Sequence, residues 1–599
     1  MFNRVLVANR GEVAVRVIRA LHESDVEAVA VYSTADEDSL HVRLADRAVC
    51  IGPPQASESY LRIPSLVAAA TTTGCEAVHP GWGFLAENPA FVEACADNDL
   101  VFIGPSAATM ARMGDKVQAK AEMRAADVPV VPGTEEATTI DGAKAAAEDV
   151  GYPVLLKATA GGGGKGMRLV TGPEELEDAY GMAALEAESA FGDGRLYLEK
   201  AVAPARHVEI QVLADGQGDV LTLGERECSI QRRHQKLIEE SPSPAVDAKL
   251  RAKLGEAAVA VARAAGYVGA GTIEFLIDEA GAFWFIEANA RLQVEHPVTE
   301  LLTGLDLVEW QLRVAAGEPL PRAQKDIRFD GHAIEARLCA EDPARNFLPQ
   351  AGRLALWQPA AGVRVDHALE SGIEILPHYD SLAAKLIAHG RTRDEAREKL
   401  AAALDATLAL GIPTNKAFLA AVLRDPVFAG PGATTALLEE RFGSWQPPHP
   451  DESVARALYA AACAEAGRVG AAGYSEWAGW SNMARPTPPA APFALEGAVL
   501  HFQLGGHSYI WRDTTMDPPE RAAAGLADGR LAAPMNGRVV AVHAKPGERI
   551  EAGRALVVLE AMKMEHTLAA PAAVRVKAVH VAKGAQVAPG KLLMEFEPA

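Results

Sequence analysis

Basic residues are the scarce charge in this 599-residue chain. Its 58 Lys and Arg stand against 79 Asp and Glu, for a net charge of −21 at pH 7. A surface that binds nucleic acid or an anionic membrane needs the opposite balance, so neither is expected as a partner, and anionic substrates must be met by local basic pockets. Cysteine is sparse as well. Cys50, Cys75, Cys95, Cys228, Cys339 and Cys463 are scattered, with no C-x-x-C pair, which argues against a zinc or disulfide framework and fits reduced thiols. No apolar run is long enough to span a membrane. The N-terminus enters Arg4-Val-Leu-Val-Ala-Asn-Arg10 without a signal-peptide apolar region, so a cytoplasmic location is expected. Two nucleotide motifs are missing too. The turn after the first apolar run, Asn9-Arg10-Gly11-Glu12, lacks G-x-G-x-x-G, which speaks against a nicotinamide or flavin role. The glycine run Gly161–Gly164 is not a Walker A loop, because Thr159 replaces the required first glycine and no Ser or Thr follows the Gly-Lys.

What remains is an ordinary globular balance, 49% hydrophobic and 23% charged, with length for three or four domains at about 150 residues each. Val5–Ala8, Glu12–Leu21 and Ala28–Tyr32 read as strand, helix, strand, the start of a parallel α/β sheet. His79-Pro-Gly-Trp-Gly-Phe-Leu-Ala-Glu-Asn88 is a Gly/Pro-broken loop suited to the mouth of a site. Tyr152–Lys157 reads as a strand leading into Ala160–Met167. Four consecutive glycines there, Gly163 and Gly164 among them, leave backbone amides free to close on phosphate oxygens, with Lys157 and Lys165 alongside.

Thr272–Ile277 and Phe283–Ala288 read as two strands joined by a short loop. If Asp278 pairs with Phe283, Glu274 falls opposite Glu287. Opposed like charges are destabilising unless a cation bridges them, and Mg²⁺ takes carboxylate oxygens completed by nucleotide phosphates and water. Asn289 could add an oxygen. In Arg291-Leu-Gln-Val-Glu295, alternation puts Arg291, Gln293 and Glu295 on one face, a fixed positive charge beside a possible base. His207-Val-Glu209 and Gln231–Lys236 add a basic cluster that suggests an anion pocket.

The last seventy or so residues repeat themselves. Leu531-Ala-Ala-Pro534 recurs as Leu568-Ala-Ala-Pro571, Val539–His543 as Val576–His580, and Gly547 and Gly553 as Gly584 and Gly590, always at one offset. Each copy has short alternating runs punctuated by Gly and Pro, the signature of strands and turns. Glu560-Ala-Met-Lys563-Met lies between the copies, after the apolar run Ala555–Leu559, where a hairpin tip is expected. This stretch resembles the attachment motif of biotin carrier domains, with Lys563 as the acceptor. Lipoyl domains share the architecture but typically carry Asp-Lys-Ala there.

Residues 1 to about 445 resemble biotin carboxylase, an ATP-grasp enzyme. The matching motifs are Val7–Glu12, His79-Pro-Gly, Gly114-Asp-Lys116, Gly161–Gly166, Arg206–Glu209, Arg232–Lys236, Arg291–Pro297 and Tyr379-Asp-Ser381. With the tail, the chain is similar to the α subunit of a biotin-dependent acyl-CoA carboxylase, of the methylcrotonyl-CoA or geranyl-CoA flavour. The resemblance implies a multidomain α/β protein. Its parts would be a Rossmann-like N-terminal domain (1–113), an ATP-grasp domain (114–325), a carboxylase C-terminal domain (326–445), a short α+β docking region with linker (446–531) and an all-β flattened-barrel biotinyl domain (532–599). It implies an ATP-dependent ligase that forms a C–N bond, with covalent biotin, ATP and Mg²⁺ or Mn²⁺ as cofactors. Lys116, Lys157, Glu199, Lys200, His207 and His234 would hold ATP together with Gly163, Gly164, Glu274 and Glu287. Glu274, Glu287 and Asn289 would hold the metal. Lys236, Arg291, Gln293 and Val294 would hold bicarbonate, and Glu295 would deprotonate it so that it attacks the γ-phosphate to give carboxyphosphate. Arg337 would help stabilise the biotin enolate. The implied partners are a carboxyltransferase β subunit in a hetero-oligomer, a biotin protein ligase, and an acyl-CoA met only through that subunit. A subunit of a two-chain pyruvate carboxylase and a non-catalytic biotin carrier are the alternatives. Trp82, Ala288, Ala290 and Val574 depart from the family's usual residues, and none removes a charge the chemistry needs.

Residues 446–531 carry less pattern. Val454–Arg468 has a helical Ala/Leu repeat, and Arg485–Pro492 reads as an extended connector. Ala498–Gln503 and His507–Trp511 read as a hairpin around Gly505-Gly506, with Tyr509 and Trp511 offered as docking anchors.

Overall fold

The computed structural model describes residues 1–159, 166–465, 491–514, 529–561, 564–570 and 572–598. Gly163, Gly164, Lys165 and Lys563 therefore lie outside the described residues, as does most of the Arg485–Pro492 stretch.

The first apolar run becomes the centre of a five-stranded parallel sheet. Its strands run in the order Arg47–Gly52, Glu27–Ser33, Arg4–Val7, Ala77–His79, Val101–Phe102. Val5, Leu6 and Val7 are fully buried, as a strand covered on both faces requires. Helix Gly11–Glu23 packs its apolar side onto this sheet through Val13, Val17, Ile18 and Leu21.

The second unit is an eight-stranded antiparallel sheet, in the order Phe283–Asn289, Gly269–Ile277, Arg206–Ala214, Val220–Arg232, Gln235–Ser241, His332–Cys339, Leu382–Gly390, Arg364–His367. It is continuous across position 326, because Gln235–Ser241 pairs with His332–Cys339. A smaller three-stranded sheet, Arg168–Val170, Val154–Ala158 and Leu196–Lys200, stands beside it with helices Ile140–Val150 and Leu176–Phe191 on its apolar side.

The segment that reads as a weak docking region is a packed α+β unit. Helix Glu452–Glu465 covers a meander of Phe493–Glu496, Val499–Leu504 and His507–Arg512, burying Ala455, Leu458, Ala462, Leu500 and Phe502. The turn is Gly505-Gly506 as expected, with φ of +57° and +82°, values that glycine adopts without strain. Tyr509 and Trp511 are half-buried within the unit rather than free-standing. Trp511 packs on Tyr459 of the helix and Tyr509 on Phe502, each with ring centroids 5.2 Å apart. Alternation does put them on one face, but that face is the one the helix needs. The unit also rests on the carboxylase-like part. Buried Lys416 meets Gln503 and donates to the Thr407 carbonyl at 2.7 Å, and Arg353 pairs with Glu496 at 2.8 Å.

The C-terminal repeat folds into two four-stranded sheets. One runs Arg530–Ala532, Leu592–Pro598, Val574–Val579, Arg549–Ile550; the other runs Met564–Ala569, Ala555–Ala561, Gly537–Val542, Gln586–Val587. The sequence repeat maps the first sheet onto the second strand for strand, so each sheet draws on both copies. This interleaving is why neither copy could stand alone: Val539, Leu559, Val576 and Leu593 share one core. Ala561 faces Met564 across the paired strands on either side of the motif.

Candidate active site

The site is built on the large sheet, and its centre is Lys236. Its Nζ donates to Glu209 at 2.7 Å, Glu274 at 2.9 Å and Glu295 at 2.8 Å. Three carboxylates around one ammonium is a buried charge network, tolerable only because each charge is met. The fully buried Arg226 closes it from the far side, reaching Glu209, Gln211 and Thr299. Burial lowers the Lys236 ammonium, but Cys228 and the three glutamates outweigh it and hold it well above the usual lysine range.

Glu274 and Glu287 do oppose each other, although not for the reason the sequence suggests. At the turn Ile277, not Asp278, pairs with Phe283, which is one residue out of the expected register. A bulge between Phe275 and Glu274 takes up one extra residue on the partner strand and restores Glu274 to Glu287. His207 binds Glu274 at 2.7 Å, and Lys116 pairs with Glu287 at 3.1 Å. Asn289 turns its amide nitrogen to Glu274 at 2.8 Å, and its oxygen accepts from Arg291 at 3.2 Å.

Glu295 sits immediately before helix His296–Thr303, in a position fixed by Pro297 and by Lys385, whose ammonium donates to the Val294 carbonyl at 2.9 Å. It is 1% exposed. Burial opposes its charge, yet Lys236, Arg337 and Arg226 hold it well below the usual carboxylate range. Arg337 reaches it at 2.9 Å from strand His332–Cys339. Gln293 donates to Thr272 at 2.8 Å and accepts from Arg291 at 2.5 Å.

Lys157 meets Glu199 at 2.6 Å in the buried floor of the small sheet. His234 stands in the turn before Lys236 with φ +63°. Burial, then the charges of Lys157 and His207, push its imidazole below the usual histidine value. Lys200 is not brought to the cluster: strand alternation turns it away from Glu199, and it donates to the carbonyls of Gly151 and Tyr152 at 3.0 and 2.9 Å.

Besides Arg226, two residues that the sequence pattern does not single out belong here. Lys120 contacts Glu199 and lies one helical turn after Lys116, a spacing that could have revealed it. Glu87, in the loop expected to shape the mouth, accepts from Arg291 Nε at 2.8 Å and from the Ala290 amide at 3.0 Å. It therefore sets the direction of Arg291. If Arg291 holds bicarbonate, as the resemblance implies, Glu87→Gln should raise the bicarbonate KM about tenfold, the worth of one charge-assisted contact, and leave the ATP KM unchanged in steady-state assays. Equal changes in both constants would remove Glu87 from this role.

Residues 1–110 match the biotin carboxylase N-terminal domain, 115–323 the ATP-binding domain of the carbamoyl-phosphate synthase L chain, 335–440 the biotin carboxylase C-terminal domain and 529–596 the domain of biotin-requiring enzymes. The chain is 48% identical over 443 residues to a biotin carboxylase of Nostoc sp., covering 73% of this chain and 99% of that one. It is 40% identical over 657 residues to the propionyl-CoA carboxylase alpha chain of Ruegeria pomeroyi, covering 95% and 96%. Among solved structures, the biotin carboxylase domain of Hydrogenobacter thermophilus 2-oxoglutarate carboxylase, in complex with MgADP, ADP and bicarbonate, superposes with a TM-score of 0.73 at 45% identity, covering 75% of this chain and all of that one. The chain belongs to the biotin carboxylase family, in the arrangement of an acyl-CoA carboxylase alpha chain that carries carboxylase and biotin carrier domain on one polypeptide.

Proposed function

We propose that this chain uses ATP and bicarbonate to carboxylate biotin carried on its own Lys563, and that a separate carboxyltransferase β subunit passes the carboxyl group to an acyl-CoA. The observation that carries the reading is Glu295 held between Lys236 and Arg337. A base flanked by two cations is a place for a small anion inside an otherwise acidic protein.

Lys236, Arg291, Gln293 and the main chain of Val294 hold bicarbonate, and Glu295 takes its proton. In the free protein the two cations make Glu295 a weak base. Bicarbonate entering between them draws their charge to itself and restores basicity at the moment it is needed. A bicarbonate oxygen then bonds to the γ-phosphorus of ATP as the bond to ADP breaks, giving carboxyphosphate and ADP. Lys116, Lys157, Glu199, His207 and His234 hold the nucleotide. Lys200, its ammonium committed to two carbonyls, contributes strand geometry. Glu274 and Glu287 are an all-oxygen pair, opposed across two strands, with Glu274 kept ionised against its burial by Lys236 and His207. That fits Mg²⁺ or Mn²⁺ with Asn289 beside them, and a bound metal would neutralise phosphate charge. Arg337 acts in the biotin step. Biotin supplies the nitrogen that accepts the carboxyl group and is attached by a biotin protein ligase.

A cytoplasmic location belongs to this reading. Among the described residues no helix is long and apolar enough to cross a membrane. The resemblance along nearly the whole length of an acyl-CoA carboxylase alpha chain favours an acyl-CoA over pyruvate as final acceptor. A non-catalytic carrier would have no need of the ion pairs around Lys236. The test is to incubate the purified biotinylated chain with ATP, Mg²⁺ and labelled bicarbonate. Label should appear on the chain, and no acyl-CoA should be carboxylated until the carboxyltransferase is added. Turnover of an acyl-CoA by the chain alone, or no label on it, refutes the reading.

A further inference from the structure

Behind Arg337 stand two glutamates that the reaction above does not use. Glu239 and Glu335 are directly opposed on the paired strands Gln235–Ser241 and His332–Cys339, and both are 0% exposed. Opposed residues share a face with Cβ atoms about 4.5–5.5 Å apart. Two desolvated carboxylates at that spacing do not both ionise unless each has its own cation. Glu239 has one, the guanidinium of Arg337. Glu335 has no ion pair among the described residues, and apart from the Arg337 contact of Glu239 the oxygens of both carboxyls are buried without a hydrogen-bond partner there. The nearby cations are committed elsewhere. Arg337 is already divided between Glu239 and Glu295. Lys385, opposite Arg337 on the next strand, donates to the Val294 carbonyl and faces Glu12 at 3.3 Å and Asp366 at 3.6 Å. Lys236 is filled by its three glutamates.

We propose that Glu239 is a positioning residue that fixes Arg337 from behind, and that Glu335 opposite it is a neutral carboxylic acid that lets Glu239 keep its charge. The inference rests on Arg337 acting in the biotin step. The electrostatics order the pair in the same sense, with Glu335 the more readily protonated of the two. Burial pushes both carboxyls up. Glu239 rises to about 7 with Arg337 pulling back, and Glu335 rises well above the usual carboxylate range because its burial and the charge of Glu239 outweigh the pull of Lys385 and Arg337. Without Glu239, the ion-pair partner left to Arg337 is Glu295, and the guanidinium is drawn onto the base instead of standing between two carboxylates.

The test uses the full chain with free biotin as substrate. It compares biotin-dependent carboxylation with bicarbonate-dependent ATP cleavage in the absence of biotin. Glu239→Gln should lower the biotin-dependent rate about tenfold or more while changing ATP cleavage by about threefold at most. Glu335→Gln, which imitates the neutral acid, should cost no more than about threefold in either. In an Arg337→Ala background, Glu239→Gln should add no further loss, because its effect passes through the missing guanidinium. Full activity of Glu239→Gln, equal damage from Glu335→Gln, or additive losses with Arg337→Ala would each overturn the inference. If Arg337→Ala itself keeps the biotin-dependent rate, the role given to Arg337 fails instead. Should Glu239→Gln fail to fold, infrared difference spectra of wild type against Glu335→Gln decide. A protonated-carboxyl band lost in the variant supports the neutral acid, and its absence in wild type refutes it.

Discussion

Glu295→Gln should lower bicarbonate-dependent ATP cleavage by about a hundredfold or more, the usual worth of a positioned general base, while nucleotide affinity measured by calorimetry stays the same. Glutamine keeps the size of the side chain and its place before helix His296–Thr303, so the substitution removes a charge and a basic oxygen and little else. Lys236 keeps Glu209 and Glu274 as partners, so the ammonium is not left unpaired, and the groups around the nucleotide are untouched. The change leaves one positive charge in excess between Lys236 and Arg337. That should, if anything, tighten the hold on bicarbonate. A fall in kcat with the bicarbonate KM steady or lower is thus the expected pattern, and it separates lost proton transfer from lost binding. A variant that turns over within a few-fold of wild type would assign the base elsewhere.

The parts of this protein that were legible in the sequence are those where a local pattern and a chemical need coincide. Val5–Val7 reads as a buried strand because it is continuously apolar, and it is one. The Gly505-Gly506 turn reads as a hairpin because two adjacent positive-φ residues are wanted there. The pairing of Glu274 with Glu287 came out right through compensation. The turn closes one residue earlier than expected and a bulge restores the register, and no single-strand pattern announces a bulge. The hub around Lys236 was legible as a list of residues but not as a geometry. Arg226 is the clearest loss: a fully buried arginine in a central strand is indistinguishable in sequence from one that faces water. Glu87 was hidden differently, in a loop about two hundred residues from the arginine it orients. The docking region was underrated because its core is divided among a helix and three short strands, none with a strong pattern alone. Its aromatics Tyr509 and Trp511 share the half-buried face on which a helix distant in sequence packs, and Trp511 meets Tyr459 of that helix.

Replacing Lys563 by arginine should abolish biotin attachment completely while sparing carboxylation of free biotin. The motif residue itself lies outside the described residues, and the expectation stands on what surrounds it. Strands Ala555–Ala561 and Met564–Ala569 pair from Ala555 opposite Ala569 to Ala561 opposite Met564. Two residues, Met562 and Lys563, separate the paired strands, and of these only Lys563 carries an amine. The other lysines of this domain, Lys545, Lys577, Lys583 and Lys591, are not flanked by a pair of methionines as Lys563 is. Arginine preserves the positive charge, so carrier folding and surface electrostatics are conserved. Its delocalised guanidinium does not form the amide that a lysine ammonium yields after losing a proton. The residues proposed for ATP, metal and bicarbonate all lie before residue 340, on other strands and helices, so the variant's rate with free biotin should match wild type. Co-expression with a biotin ligase followed by a streptavidin blot reads the first outcome, and ADP release with added biotin reads the second. A blot that remains positive would place the attachment on another lysine. Loss of the free-biotin rate would mean that the carrier is part of the carboxylase site rather than a visitor to it.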